Sequence, residues 1–141
     1  MIKEGCERQL NVLMDELCRQ PHVVAVVIAR RDGVVIASNL GGKANPSLVA
    51  AMAASIVGTS EMVVGELDQG KLVEVVVESV KGQLLGIGAN EEAILVIVTK
   101  REANVGLVLL NIEKYSKEIS RVISCKEQQQ LLVETVDEGA R

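Results

Sequence analysis

Residues 44–60 carry no charged side chain, and Asn45-Pro46 at their start offers an N-cap followed by a proline in the first helical turn. Together these predict a helix from about Pro46 to Val64. A helix without charge on any face cannot lie on a surface that stays wet, because exposed helix faces are normally covered with Lys, Glu or Arg. A membrane span is rejected. The stretch contains Asn45, Pro46, Ser47, Ser55, Gly58 and Thr59, its bulk is mostly alanine, and it falls short of the roughly 20 apolar residues a bilayer requires.

On a helical wheel, Val49, Met52, Ala53, Ile56, Val57, Val63 and Val64 form a core stripe. The opposite face then reads Ser47, Ala51, Ala54, Ser55, Gly58 and Met62, small and uncharged over three turns. Either another lobe of the chain covers this face or a second copy does. The other predicted elements are already used in a sheet and its opposite layer, which favours self-association, with a two-fold contact as the default geometry.

The remaining pattern supplies that sheet. An amphipathic first helix carries Cys6, Leu10, Leu13, Met14 and Leu17 inward and ends before Pro21. Val23–Ala29 and Val34–Ala37 are β-branched runs flanking Asp32-Gly33, which suits a two-residue type I′ hairpin turn. Leu72–Glu78, Gln83–Gly88 and Ala93–Thr99 read as an antiparallel meander with short connections. Ile94–Val98 is apolar on both faces and is expected to be central. Leu72–Glu78 carries Glu74 and Glu78 and is expected at an edge. A third helix follows, with Val105, Val108, Leu109, Ile112, Tyr115, Ile119, Val122 and Ile123 on one stripe. The expected organisation is one α+β domain over residues 1–125 and a tail over 126–141 that is either a helical extension or disordered.

At 141 residues and 48% apolar content the chain is large enough to bury a core without disulfides or metal. Tyr115 is its only aromatic residue. A net charge of −4 and the lack of stacking platforms argue against a nucleic-acid partner. Cys6, Cys18 and Cys125 form no Cys-x-x-Cys pair, and in one helix Cys6 and Cys18 stand roughly 18 Å apart. With no apolar leader run, these thiols suit a reducing cytoplasm.

Catalytic equipment is sparse. His22, the only histidine, reads as a partly exposed loop residue beside Pro21. Gly86-Ile87-Gly88-Ala89-Asn90-Glu91 opens like a dinucleotide fingerprint, but Glu91 replaces the third glycine and strand follows. It is read as a strand with two glycines, with or without a bulge. Gly42-Lys43 lacks the rest of a phosphate loop, with Ala37 and Ala44 at the needed positions. Glu91-Glu92 is read as a solvated turn. No cofactor, metal or catalytic residue is implied.

The element order, with the hydrophobic strand Val23–Ala29, the Asp32-Gly33 turn, the second strand and the small-residue helix Ser47–Val64, resembles the Roadblock dynein light-chain family over about residues 4–124. Leu84-Leu85-Gly86-Ile87-Gly88 and Ala93–Val98 are similar to its fourth and fifth strands. The resemblance implies a five-stranded antiparallel sheet with helices on both faces, Roadblock-like or profilin-like, the second helix on one face and the terminal helices on the other. It also implies homodimers that pair second helices and third strands. Dimer contacts are accordingly expected at Ala51, Ala54, Ser55, Gly58, Met62, Val73, Val75 and Val77.

Members similar to this chain act on small Ras-like GTPases. The implied function is a non-catalytic homodimeric platform that activates or modulates such a GTPase by shifting its switch regions. Contacts with it are expected around Lys43, Asn45 and Ser47. The alternative is a structural adaptor of a motor or signalling complex that leaves nucleotide turnover unchanged. A small-ligand sensor would need a polar-lined pocket, which this composition disfavours.

Overall fold

The computed structural model describes the backbone of residues 2–139 and the side chains of residues 5–124. Helix α1 spans Ile2–Cys18, and its inward stripe Cys6, Leu10, Leu13, Met14 and Leu17 is buried, as its spacing predicts. Pro21 and His22 turn the chain into strand β1 (Val23–Arg30), with His22 exposed in the left-handed region at φ 67°. Strand β2 (Val35–Asn39), helix α2 (Pro46–Glu66), strands β3 (Val75–Glu78), β4 (Gly82–Gly88) and β5 (Ala93–Lys100), and helix α3 (Val105–Gly139) complete the order. The boundary expected at Cys125 falls inside α3, and the side chains of the tail lie outside the described residues.

The five strands form one antiparallel sheet in the order β2-β1-β5-β4-β3. Strand β5 is central and β3 is an edge, as the polarity of their sequences requires. One face of the sheet packs against α1 and α3 through Val26, Ile28, Leu85, Leu95 and Ile97, which meet Leu17, Ile112 and Ile119. The other face carries Val27, Ala29, Ile94 and Val96 and receives α2. Along β4 and β5 successive residues fall to alternate layers, whereas the register of β1 shifts between Val23 and Ala25 and between Ile28 and Ala29.

The hairpin between β1 and β2 differs from expectation. Only Gly33 has positive φ (93°), and the Gly33 N–H donates to the Arg30 carbonyl at 2.9 Å while the Arg30 N–H donates to the Val34 carbonyl at 2.8 Å. This is a three-residue loop, a turn followed by a left-handed glycine, rather than a type I′ turn, which needs positive φ at both central residues. The reason lies nearby: a β-carbon on Gly33 would sit 3.1 Å from the Ala51 α-carbon, so the turn tucks under α2 where only glycine fits.

Strand β3 is also shorter than the predicted Leu72–Glu78. Its pairing with β4 begins at Val75 opposite Gly86. Continuing that register would put Val73 opposite Gly88, but the Arg31 guanidinium already lies there, 2.8 Å from where a Gly88 β-carbon would stand. Residues 72–74 therefore leave the ladder, and Leu72 turns inward against the α2 layer. Strand β4 itself pairs with β5 in unbroken register from Gly82 to Gly88, without a bulge.

Helix α2 is capped by Asn45, whose side chain accepts from the Ser47 N–H at 3.0 Å. Its facing corrects the helical wheel. The buried residues are Ala50, Ala53, Ala54 and Val57, whereas Met52, Ile56 and Val63, expected inside, are exposed. Ala54, expected on the outer face, is only 8% exposed. The helix is turned by roughly a quarter turn, because a stripe of alanines lets its backbone approach a sheet surface already filled with branched side chains. At the point of closest approach, a β-carbon on Gly86 would sit 2.9 Å from Val57 Cγ2.

These glycines differ in a way that stability measurements can resolve. Gly82→Ala puts a β-carbon 2.2 Å from the Thr99 carbonyl oxygen, so it is expected to cost about 2–3 kcal/mol in urea unfolding. Gly65→Ala meets nothing within 4 Å on a helix and is expected to stabilise by about 0.5–1 kcal/mol.

Candidate functional site

Because α2 turns its alanines to the sheet, its large apolar side chains point away from the domain. Leu48, Met52, Ile56, Met62 and Val63 are all exposed, Met52 by 58% and Met62 by 75%, with Ser55 and Thr59 between them. Their spacing of three and four residues places them on one continuous face. Leu67 extends it beyond the helix end. No Lys, Arg, Asp or Glu interrupts the face from Leu48 to Ser60. An apolar surface of this extent marks a binding site on a folded domain.

The edge of the sheet lies next to it. Val57 of α2 packs over Gly86, and the Val75 side chain flanks the same glycine. Val77 pairs with Leu84 of the α2 layer and points to that side, while the outer backbone edge of β3 has no neighbouring strand. Val76 and Val77 are exposed.

The sequence-predicted residues divide accordingly. Ala51, Ser55 and Met62 are exposed on α2, and Gly58 is half-buried with open space where a β-carbon would stand. Ala54 belongs to the core and is not available on the surface. Val73 is exposed but precedes the strand, and Val75 is half-buried beside α2. Lys43, Asn45 and Ser47 are exposed at the start of α2, next to β2, so the sheet order separates them from β3 by its full width. The Asn45 side-chain oxygen is occupied as the helix cap.

Leu48, Met52, Ile56 and Val63 were missed as surface residues because a helix apolar on every side gives no hydropathy signal for its facing. Arg31 was missed as well, since nothing in local spacing distinguishes it. It holds one end of the domain together. Its Nε and Nη2 donate to the Asn90 carbonyl at 3.2 and 2.9 Å, and its Nη1 pairs with the Glu61 carboxylate of α2. The Asn90 side chain in turn accepts from the Glu92 and Ala93 N–H groups at 2.8 and 2.7 Å. One arginine thus ties the β1–β2 turn, the β4–β5 turn and α2.

The acidic pair and the cysteine singled out by the sequence lie elsewhere, in a turn and at a helix end. Glu91 and Glu92 are exposed in the β4–β5 turn. Cys18 is half-buried at the end of α1, and burial, with the negative charge of Asp15 adding to it, raises its thiol pKa against a smaller opposing hydrogen bond from Asn39. The thiol is therefore protonated at neutral pH and a poor nucleophile. Among the described residues no three His, Cys, Asp or Glu side chains gather as a metal site.

With this geometry in view, the relatives can be placed. The Roadblock/LC7 domain model matches residues 10–99. The chain belongs to the Roadblock/LC7 family. Two uncharacterised proteins of Methanocaldococcus jannaschii, MJ1340 and MJ0310, are each 32% identical to this Roadblock chain over 104 residues, covering 74% of it and 90% of each relative. Among solved structures, a Roadblock/LC7 domain from Streptomyces avermitilis superposes with a TM-score of 0.75 at 22% identity, covering 80% of this chain and 96% of that one. Myxococcus xanthus MglB gives 0.76 at 19% identity, covering 83% and 89%. Acanthamoeba castellanii profilin, at 0.56 and 16% identity over 76% and 94%, shares the sheet-and-helix architecture of the Roadblock fold.

The Arg31 node makes a testable contribution to the stability of the Roadblock domain. Its ion pair with Glu61 is partly solvated, so Glu61→Gln is expected to cost under about 1 kcal/mol in urea unfolding. Arg31→Ala also abandons the Asn90 carbonyl and is expected to cost about 1–2 kcal/mol.

Proposed function

We propose that this chain acts as a homodimeric, non-catalytic platform for a small Ras-like GTPase and modulates its nucleotide cycle. The observation that carries the reading is the outer face of α2, which exposes Leu48, Met52, Ile56, Met62 and Val63 without a charged residue among the first four turns. A second copy related by two-fold symmetry brings the same face against itself and pairs the open edges of β3. Family membership supports both parts, because Roadblock domains include dimeric regulators of Ras-like GTPases.

The revised facing changes which residues make the dimer contact. Leu48, Met52, Ser55, Ile56, Thr59 and Met62 carry it, with Val75 and Val77 at the sheet edge, and Ala54 supports it from beneath. Lys43, Asn45 and Ser47, at the opposite edge, remain the proposed GTPase contacts. They lie on the loop and first turn before the apolar face, where a bound GTPase would touch the platform without competing for β3. The globular domain ends near Cys125, and residues 126–141 form an appended tail.

The mode of action follows from what the surface can do. With no nucleophile or general base at either location, the chain changes turnover only by binding one conformation of the GTPase switch region better than another. Size-exclusion chromatography with light scattering is expected to give a dimer at tens of micromolar. Met52→Arg places a charge on the outer face without touching the core and is expected to give folded monomer. Mixing with a Ras-like GTPase that co-purifies with the chain is expected to change hydrolysis or exchange at least severalfold, and Lys43→Glu to reduce that change. A monomeric wild type defeats the dimer, while binding with unchanged rates replaces the regulator by the structural adaptor.

A further inference from the structure

On the side of the sheet opposite α2, helices α1 and α3 pack side by side with a groove of about 790 Å³ along their seam. Leu13 of α1 and Val122 of α3 are its buried floor, while Val12 stands on the α1 rim and is 51% exposed. The two helices run antiparallel. Gln20, just past the C-terminal end of α1, donates to the Tyr115 hydroxyl at 3.3 Å, whereas the earlier residues of α1, from Gly5 to Glu16, line the groove with Glu118, Arg121 and Val122.

Four charged side chains line this groove, Arg8 and Glu16 on α1 and Glu118 and Arg121 on α3, and none is paired among the described residues. Arg8 precedes Glu16 on α1. Because α3 runs the other way, Arg121 lies toward the Arg8 end and Glu118 toward the Glu16 end. The groove is therefore basic at one end and acidic at the other, with no net charge. Neighbouring charges leave this pattern in place. On the outer crest of α3, Lys114 and Lys117 each have a carboxylate four residues away on the same helix, Glu118 and Glu113. On α1, Glu7 stands about 140° round the helix from Val12, and Asp15 and Arg19 are exposed toward the C-terminal end.

Arg8, Val12 and Glu16 follow one another at intervals of four, so they form a single stripe that reads cation, apolar, anion. Such a stripe is complementary to itself. About a two-fold axis through Val12, Arg8 of one copy meets Glu16 of the other, Gln9 meets Asp15, Gly5 meets Arg19, and no like charges are opposed. Gly5 has open space where a β-carbon would stand, which leaves room for the long arginine. The second copy's Arg8 then enters the end of the groove that holds Glu16 and Glu118, and its Glu16 the end that holds Arg8 and Arg121. A parallel copy would set arginine against arginine, and a segment of one charge sign would be repelled at one end. We propose that α1 and the groove beside it form a contact between copies of this chain, made by antiparallel α1 helices. It lies across the sheet from α2 and uses neither β3 nor residues 43–47, so it does not rest on the proposed function. Where α2 faces also pair, it links those dimers into longer assemblies.

Sedimentation velocity on the full chain tests this as its concentration rises from tens to hundreds of micromolar. A species of twice the mass of the one prevailing at low concentration is expected to grow in, whether that first species is the α2 dimer or a monomer. It is expected to recede between about 0.1 and 1 M salt, where the Debye length falls from about 10 to about 3 Å. Arg8→Glu or Glu16→Arg alone is expected to weaken this step by roughly tenfold, because the two-fold axis turns each reversal into two repulsions. Mixing the two variants in equal amounts opposes unlike charges at both positions again and is expected to restore the step. Constant mass over the whole range, or growth indifferent to salt, overturns the proposal. So does a mixture that stays as dissociated as its components, or a single variant that associates as strongly as wild type.

Discussion

Everything distinctive about this domain depends on how closely α2 approaches the sheet. Ala50, Ala53, Ala54 and Val57 settle onto Val27, Ala29, Ile94 and Val96, and the fit leaves so little room that Gly33 and Gly86 must lack side chains beneath them. A helix with larger residues facing inward would ride higher and separate the layers, with the loss of dispersion contacts that any gap in a close-packed interior brings. Choosing alanine for the inner face has an inevitable complement. The leucine, methionines, isoleucine and valine of the same helix are carried outward. The surface proposed for dimerisation is thus a direct product of the packing that forms the monomer.

How much of this the sequence disclosed depended on how asymmetric each element is. Helix α1 alternates charged and apolar residues, so its buried stripe was legible, and the two-sided hydrophobicity of β5 against the glutamates of β3 placed one in the centre and the other at an edge. Helix α2 has no such contrast. With apolar side chains all round, the helical wheel put Met52 and Ile56 inside with Ala53 and Val57 and left Ala54 outside, whereas close packing on a crowded sheet turns the helix so that Ala50 and Ala54 join Ala53 and Val57. The choice of binding element was therefore readable, and the residues on it only in part. Ala51, Ser55 and Met62 face outward as expected, Ile56 was assigned to the core, and Leu48 and Thr59 were assigned to neither face.

Long-range contacts account for the other differences. Asp32-Gly33 announces a tight hairpin, but the turn chosen is the one that lets Gly33 pass beneath Ala51, a residue outside any local window. Arg31 shortens β3 by lying against Gly88, and nothing near Arg31 in the chain refers to Glu61 or Asn90. The same end of the domain is therefore stapled by a polar network although the core is almost wholly aliphatic. Thr99 is the one buried polar residue among those described, and it meets Gln83 at 3.3 Å. A core so free of polar groups specifies its layers by shape alone, which leaves the Arg31 node to fix how α2 is oriented over them.

Helix α2 runs to 21 residues, longer than its uncharged stretch suggested, and by length and composition alone it is the one described helix that could cross a bilayer, which removes shortness as a ground for rejecting a span. Its alanine face is engaged by the sheet and its outer face is not, so the helix is packed against its own domain on one side only. Strand β3 extends that division to the sheet edge. Val75 and Val77 lie on the α2 side, next to the proposed dimer contact, whereas Glu74, Val76 and Glu78 lie on the α3 side. A single strand thus presents an aliphatic row to one face and an acidic, partly apolar row to the other. The glutamates that mark it as an edge project to the α3 side of the sheet, away from the α2 face.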